Sequence, residues 1–238
     1  MKNLRWLVAG VALAVSGAAA AGEFSSTVTA TSDYDFRGVT QSAQNPALQA
    51  SIDWAADSGM YLGAWASNVD FGDCCDEEIE VDLYGGYAGG DEEGLTYDVG
   101  FVWYSYPGAD DLDYPEAYVG IAYGMFDAKL WYSWDLYQLD ESAYYVEGNL
   151  NVPLPRDFGL AVHAGYSDGS AWDNLEGFES YFDYSIGFTK TLGNFDVELK
   201  WVDGSDYTLA NDTEDDVLSS DSRVVFSIST TFPWAAKE

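Results

Sequence analysis

The segment Phe24-Ser-Ser-Thr-Val-Thr-Ala-Thr-Ser-Asp-Tyr-Asp-Phe-Arg37 decides the fold. Its even positions, Phe24, Ser26, Val28, Ala30, Ser32, Tyr34 and Phe36, are mostly apolar or small. Its odd positions, Ser25, Thr27, Thr29, Thr31, Asp33, Asp35 and Arg37, are all polar. Successive side chains of a β-strand point to opposite faces, so a period of two predicts a strand with one oily and one wet face.

The same alternation recurs along the chain. With residues 24–37 counted first, twelve segments carry it: 47–55, 60–71, 78–87, 95–106, 114–123, 128–137, 143–152, 158–167, 181–192, 195–203 and 222–232 are the others. In 47–55, Leu48, Ile52 and Trp54 oppose Gln49, Ser51 and Asp53. In 60–71 the apolarity of Tyr61, Trp65, Val69 and Phe71 assigns the odd positions to the oily face. In 128–137 the same reading puts Leu130, Tyr132, Trp134 and Leu136 opposite Lys129, Ser133 and Asp135. Helical spacing competes poorly, because glycine interrupts most windows. Connections largely alternate between short ones, such as 56–59 and 193–194, and longer ones, such as 38–46 and 204–221; the link 138–142 breaks the rule.

Composition narrows the class. The chain has 238 residues, with 41 Asp and Glu against 9 Lys and Arg. That acidity repels a phosphate backbone and argues against nucleic-acid binding. Two cysteines and one histidine are too few for a disulfide scaffold or a His-rich metal site. A 47% hydrophobic content with 9 Trp, 18 Tyr and 12 Phe is not that of a disordered chain.

Residues 1–21 read as a secretory signal peptide. Lys2 and Arg5 precede an apolar run from Trp6 to Val15, and small residues through Ala21 place cleavage after Ala20 or Ala21. The run is short for a membrane anchor. No long apolar stretch follows Gly22, which leaves an exported β-sandwich or a transmembrane β-barrel. The barrel fits better. An oily face persists through all twelve segments. Aromatics near segment ends (Tyr34, Trp54, Tyr61, Tyr106, Tyr114, Tyr144, Tyr166, Tyr181 and Trp201) suit interfacial girdles. The expectation is one all-β domain over 22–238: a single antiparallel transmembrane β-barrel of about twelve strands. It would sit in outer-membrane lipid, with short periplasmic turns and longer extracellular loops.

Four stretches also carry a family resemblance. They are Thr31-Ser-Asp-Tyr-Asp-Phe-Arg-Gly-Val-Thr-Gln-Ser42 with Asn45-Pro-Ala-Leu-Gln49, Tyr61-Leu-Gly-Ala-Trp-Ala-Ser-Asn-Val-Asp-Phe71, Glu80-Val-Asp-Leu-Tyr-Gly-Gly-Tyr87 and Tyr104-Ser-Tyr-Pro-Gly108. The chain resembles the TorF-type porin family of Gram-negative bacteria, closely over residues 24–124 and more loosely to Phe232. The resemblance implies an outer-membrane channel and no particular substrate.

Parity nominates the bore. Arg37, Lys200 and Arg223 fall on the polar faces of the first, eleventh and twelfth segments, which closure makes neighbours. Glu80, Asp82, Asp98, Glu116, Asp135 and Glu147 fall on the polar faces opposite. The expectation is a basic patch facing an acidic wall, a transverse field favouring cations. The competing reading is that these charges pair locally and fill the bore. His163 is the one candidate for an outer-membrane lipid hydrolase, although no nucleophile is singled out by spacing. Cys74 and Cys75 suggest a loop disulfide. The acidic loops at 91–93, 110–113 and 212–216 lack EF-hand spacing. No cofactor, metal or catalytic group is implied. The expected function is passive passage of small hydrophilic solutes; a plugged structural barrel is the alternative.

Overall fold

A computed structural model describes residues 22–72, 78–91, 94–174, 179–205 and 217–234. The leader expected over 1–21 and the cysteines 74 and 75 lie outside the described residues. In chain order the strands are β1 (Glu23–Thr31), a small hairpin β2 (Asp35–Phe36) and β3 (Val39–Thr40), β4 (Ala47–Ala55), β5 (Met60–Asn68), β6 (Ile79–Gly90), β7 (Leu95–Ser105), β8 (Tyr114–Tyr123), β9 (Phe126–Ser133), β10 (Ala143–Leu154), β11 (Phe158–Asp168), β12 (Tyr181–Leu192), β13 (Phe195–Gly204) and β14 (Arg223–Phe232).

Every strand except β2 and β3 joins one closed antiparallel barrel of twelve strands. Sequence neighbours pair throughout, and β1 closes the ring by pairing with β14 on one side and β4 on the other. At the seam Thr27 faces Thr231, and their hydroxyls hydrogen-bond at 2.9 Å. Closure removes both sheet edges, which an open sheet of this size would have to protect. Both ends of the barrel chain and the tight turns lie at one end, the turn end; the longer connections lie at the other, the loop end.

The outside is apolar. Leu48, Ile52, Leu83, Val99, Ile121, Phe188 and Val224 are all exposed there. Aromatics gather outside in two belts. Tyr87, Tyr97, Tyr123, Phe126 and Phe158 stand toward the turn end, and Trp103, Tyr132, Trp134, Phe182 and Trp201 toward the loop end.

Four sequence expectations need correction. First, β5 has the opposite parity. Trp54 pairs with Leu62 and Ala64 with Leu83, so its even positions face out. Tyr61 is buried inside, and Val69 and Phe71 are buried beyond the strand end. The outward Ala64 and Ala66 dilute the oily signal, while an aromatic ring with a hydroxyl fits a lumen that offers a partner. Second, five of the nine candidate girdle aromatics, Tyr34, Tyr61, Tyr106, Tyr114 and Tyr181, are buried inside the barrel instead. Third, β1 stops at Thr31; Ser32 still bonds Phe226 of β14, and residues 33–37 leave the wall. Fourth, β9 stops at Ser133. Leu136 is buried in a short 3-10 turn, and Asp135 precedes that turn.

The β5 parity has a direct test. Arginine at an outward mid-strand position costs about 2–4 kcal/mol in a bilayer-embedded barrel, and an inward position costs little. Ala64→Arg is expected to lower folding stability in lipid bilayers by that amount. A change near zero in urea titrations would return the strand to the parity read from its aromatics.

Candidate functional site

The bore is built from the inner face of the wall and from an infolded segment. After Ser32 the chain turns into the barrel and makes the hairpin of β2 and β3, in which Phe36 faces Val39. Arg37 and Gly38 form its two-residue loop, with φ of 51° and 81°. Positive φ at both positions is the signature of a type I′ turn, whose twist matches a hairpin. Gly38 has a second role, since a Cβ there would overlap the Asp183 side chain of the wall.

Charges clamp this hairpin. Arg223 donates from Nε to Asp33 Oδ2 at 2.5 Å, from Nη2 to Asp35 Oδ1 at 2.6 Å and from Nη1 to the Gly38 carbonyl at 2.9 Å. Lys200 Nζ reaches Asp35 Oδ2 at 2.8 Å. Burial works to raise the Asp35 carboxyl, but Lys200 and Arg223 outweigh it and hold it below its ordinary value. Its charge therefore persists above the usual carboxylate range, and its share of the clamp is lost only as pH falls below that range. At the hairpin tip Arg37 donates two hydrogen bonds to Glu116, at 2.8 and 2.6 Å. Around the segment, Tyr34, Val39, Tyr104, Tyr106 and Tyr114 pack into an aromatic core that fills the loop-end half of the bore.

These contacts place the sequence-nominated charges. Lys200 and Arg223 meet at Asp35, but Arg37 is carried by the hairpin and joins Glu116 instead. Glu116 is 1% exposed and also accepts the Tyr104 hydroxyl at 3.0 Å. Glu80 and Asp82 are buried side by side on β6, with Tyr106 donating to Glu80 at 3.2 Å. Asp98 accepts Tyr61 at 2.6 Å and Lys129 at 3.1 Å. Glu147 accepts the Trp131 indole N–H at 2.8 Å. Asp135 is not among them: it lies past β9 and accepts the Asp140 backbone N–H at 2.9 Å. Sequence reading missed Asp53 and Asp183 as site residues. It also missed the lumen tyrosines that hold the acids.

Those tyrosines follow a rule set by glycine. Across neighbouring strands Tyr61 faces Gly86, Gly86 faces Gly100, Gly100 faces Tyr118, Tyr118 faces Trp131, and Trp131 faces Tyr145. A Cβ on Gly86 or Gly100 would strike the hydroxyl of Tyr61 or Tyr118. The two rings thus lie down over the bare backbone, and their hydroxyls hydrogen-bond to each other. The device repeats. Tyr84 lies over Gly63 and donates to Asp53; Tyr145 lies over Gly165 and donates to Asp183 at 3.1 Å. One rung nearer the turn end, the Lys129 stem crosses Gly120, whose Cβ would sit 3.0 Å from Lys129 Cε, to reach Asp98.

His163 has both ring nitrogens engaged. Nδ1 lies 2.7 Å from Asn149 Oδ1, and Nε2 lies 2.8 Å from Asp183 Oδ1. Neither nitrogen is left to activate a serine or cysteine, although Ser185 lies opposite in register. Among the described residues no group of three or more His, Cys, Asp or Glu side chains is arranged to hold a metal ion. Of the acidic loops, Asp113 is tied inward, accepting the Tyr106 backbone N–H at 2.7 Å and the Ser105 hydroxyl at 3.0 Å.

A closed twelve-stranded barrel, apolar outside and lined with charge and tyrosine inside, has the architecture of outer-membrane porins. The solved structures agree in fold. The KdgM porin superposes with a TM-score of 0.56 at 9% identity, covering 89% of this chain and 99% of its own. The NanC porin gives a TM-score of 0.57 at 10% identity, with 88% and 99% covered. KdgM in complex with disordered oligogalacturonate gives 0.56 at 9%, with 88% and 99% covered. The chain belongs to the Gcw_chp family, described as bacterial proteins of unknown function, whose profile matches residues 15–232. That match does not carry the narrower TorF-type name. No curated protein matches at the level of sequence.

The glycine rule yields a paired test. Gly165→Ala puts a methyl into the Tyr145 ring, whereas a Cβ on Gly148 meets open space. Overpacking costs about 1–3 kcal/mol. Gly165→Ala is expected to lose that much stability in denaturant titration, and Gly148→Ala to stay within about 0.5 kcal/mol of wild type. Equal values for the two would refute the packing argument.

Proposed function

We propose that the protein is an outer-membrane, porin-like passive channel for small hydrophilic solutes that favours cations. The observation that carries this reading is the inside-out distribution of polarity on a closed barrel. An apolar exterior belongs in hydrocarbon, where only a structure with all backbone groups paired can cross. A charged interior belongs in water. The wall strands run from 8 to 12 residues, close to the length a tilted strand needs to span a bilayer.

Cation preference rests on the inner charges. Lys129, Lys200, Arg223 and His163 share the wall with Asp53, Glu80, Asp82, Asp98, Glu116, Asp127, Glu147, Asp183 and Glu198. Asp53 and Asp127 take their hydrogen bonds from neutral donors: Ser51 and Tyr84 for the first, Asn149 and Asn151 for the second. Such an excess attracts cations and deters anions. KdgM has been captured with an oligogalacturonate, a polycarboxylate. The acid excess argues against the same cargo here.

The infolded hairpin favours a second reading, a barrel sealed at the loop end and serving as a surface scaffold. In the channel reading the same hairpin is the constriction, and its clamps set the resting conductance. Arg223 is a poor first target, because its loss strands two carboxylates at a cost of about 3–5 kcal/mol. Arg37→Gln acts at the hairpin tip alone and takes the charge from one carboxylate, Glu116, which keeps the Tyr104 hydroxyl as a donor. In planar bilayers wild type is expected to give small, cation-selective steps, and Arg37→Gln several-fold larger ones with a reversal potential shifted further toward potassium. Anion selectivity in wild type would sink the cation preference. No current from either folded protein, with no solute flux into liposomes, would favour the sealed scaffold.

A further inference from the structure

Below the constriction, the reclining tyrosines do something that upright ones would not: they turn aromatic faces toward the bore. A ring face carries the negative end of the π quadrupole and attracts cations, more strongly when water is scarce. Two of the chain's own cations already lie on such faces. Lys129 Nζ sits 4.5 Å from the Tyr118 ring centroid and 4.9 Å from that of Trp131. The Arg37 guanidinium sits 4.5 Å from the Tyr145 ring and 5.5 Å from Trp131, on the loop-end side.

The Lys129 position is a complete ammonium site. Tyr118 and Trp131 face each other across β8 and β9 and supply two rings. Asp98 supplies the carboxylate at 3.1 Å, held in place from its other oxygen by Tyr61 at 2.6 Å. Glu147 faces Lys129 in register from β10 and adds a second negative charge. The Asp98 side chain keeps 31% of its exposure, so the site is open to the bore.

We propose that this cage of Asp98, Tyr118, Trp131 and Glu147 is a binding site for small organic cations bearing a primary ammonium group, with the Lys129 ammonium as its tethered occupant. The inference deepens the cation-favouring reading by naming a substrate class. A permeating alkylammonium competes with Lys129 for the two rings and Asp98, and its apolar stem gains the aromatic walls. An inorganic cation gains the carboxylate but sheds more water to reach the rings. A neutral alcohol of equal length gains only the apolar contact.

Calorimetry on the folded protein in detergent micelles tests this without reference to conduction. The probe is butylammonium chloride, with 1-butanol and potassium chloride as controls. Wild type is expected to bind butylammonium more tightly than either control. Lys129→Met removes the tethered ammonium at similar side-chain volume, and binding is expected to tighten about tenfold. Adding Asp98→Asn to that variant, or Tyr118→Leu, is expected to reverse the gain. Far-UV circular dichroism and heat-modifiable gel migration establish that each variant is folded; if Lys129→Met is not, Lys129→Gln takes its place. Butylammonium binding no tighter than butanol, or unchanged by Lys129→Met, overturns the proposal. So does a loss with Asp98→Asn alone and none with Tyr118→Leu, which would be the mark of a bare acidic field. A protein that binds butylammonium but carries no current sinks the channel reading and leaves this site standing. One that conducts cations without such binding does the reverse.

Discussion

Pairing of β1 with β14 is the interaction on which the rest depends. Closure turns a two-residue alternation into a division of space, because every side chain must then point either into the ring or away from it. No third environment exists for a wall residue, and each must find partners suited to its side. Outside, Leu48, Ile121 and Val224 need none beyond an apolar medium. Inside, Glu80, Asp82, Glu116 and Asp183 are each less than a tenth exposed, and a buried carboxylate without partners is costly.

The protein meets that demand chiefly with tyrosine. Glu80, Asp98, Glu116 and Asp183 each accept a phenol hydroxyl, from Tyr106, Tyr61, Tyr104 and Tyr145 respectively. A phenol donates one hydrogen bond and leaves the carboxylate its charge, whereas a lysine or arginine cancels it. Each phenol thus occupies one carboxylate oxygen without adding charge; Asp98, Glu116 and Asp183 also meet Lys129, Arg37 and His163, while Glu80 Oε2, Asp82 Oδ1 and Asp183 Oδ2 meet no protein donor. Glycine makes this geometrically possible. A ring can reach past the adjacent strand only where that strand has no Cβ, as at Gly63, Gly86, Gly100 and Gly165. The glycines that weaken a helix reading of the sequence are here the floor on which the lumen rings lie.

Much of the fold was legible from alternation alone. All twelve wall strands fall where the period of two placed them, and most ends agree within a few residues. Parity failed only where apolarity and direction part company. In β5, tyrosine and tryptophan outweigh Ala64 and Ala66 on any hydrophobicity scale, yet pairing with β4 and β6 sends the alanines outward. The girdle aromatics failed for the same reason, since a tyrosine satisfies an interface and a lumen equally well. Residues 33–37 failed differently. Their alternation is unbroken, and the departure from the wall is signalled by Arg37-Gly38, a two-residue turn without the usual asparagine or aspartate before its glycine. Arg37 adopts positive φ at some cost, and its bidentate contact with Glu116 offsets it. The site was less legible than the fold, because sequence supplies charge and parity but not height along the bore. Nor does it show that Arg37 rides an infolded hairpin to Glu116 on β8 while Lys200 and Arg223 stay on β13 and β14.

Height also explains how one bore can hold a packed core and a wet charged wall. At the loop end, Tyr34, Val39, Tyr104 and Tyr114 fill the space around tight ion pairs such as Arg223 with Asp33 and around the buried Glu80 and Asp82. Toward the turn end no segment folds in among the described residues, and acids such as Asp53 and Asp127 keep neutral partners. In the proposed channel, an ion entering from the turn end would meet a largely negative wall before the aromatic core at the loop end. On that proposal, loosening the barrier would change how many ions cross, and changing the wall would change which ones. The two proposed properties would reside largely in different residues, the hairpin clamps and wall acids such as Asp53 and Asp127, with Glu116 belonging to both sets.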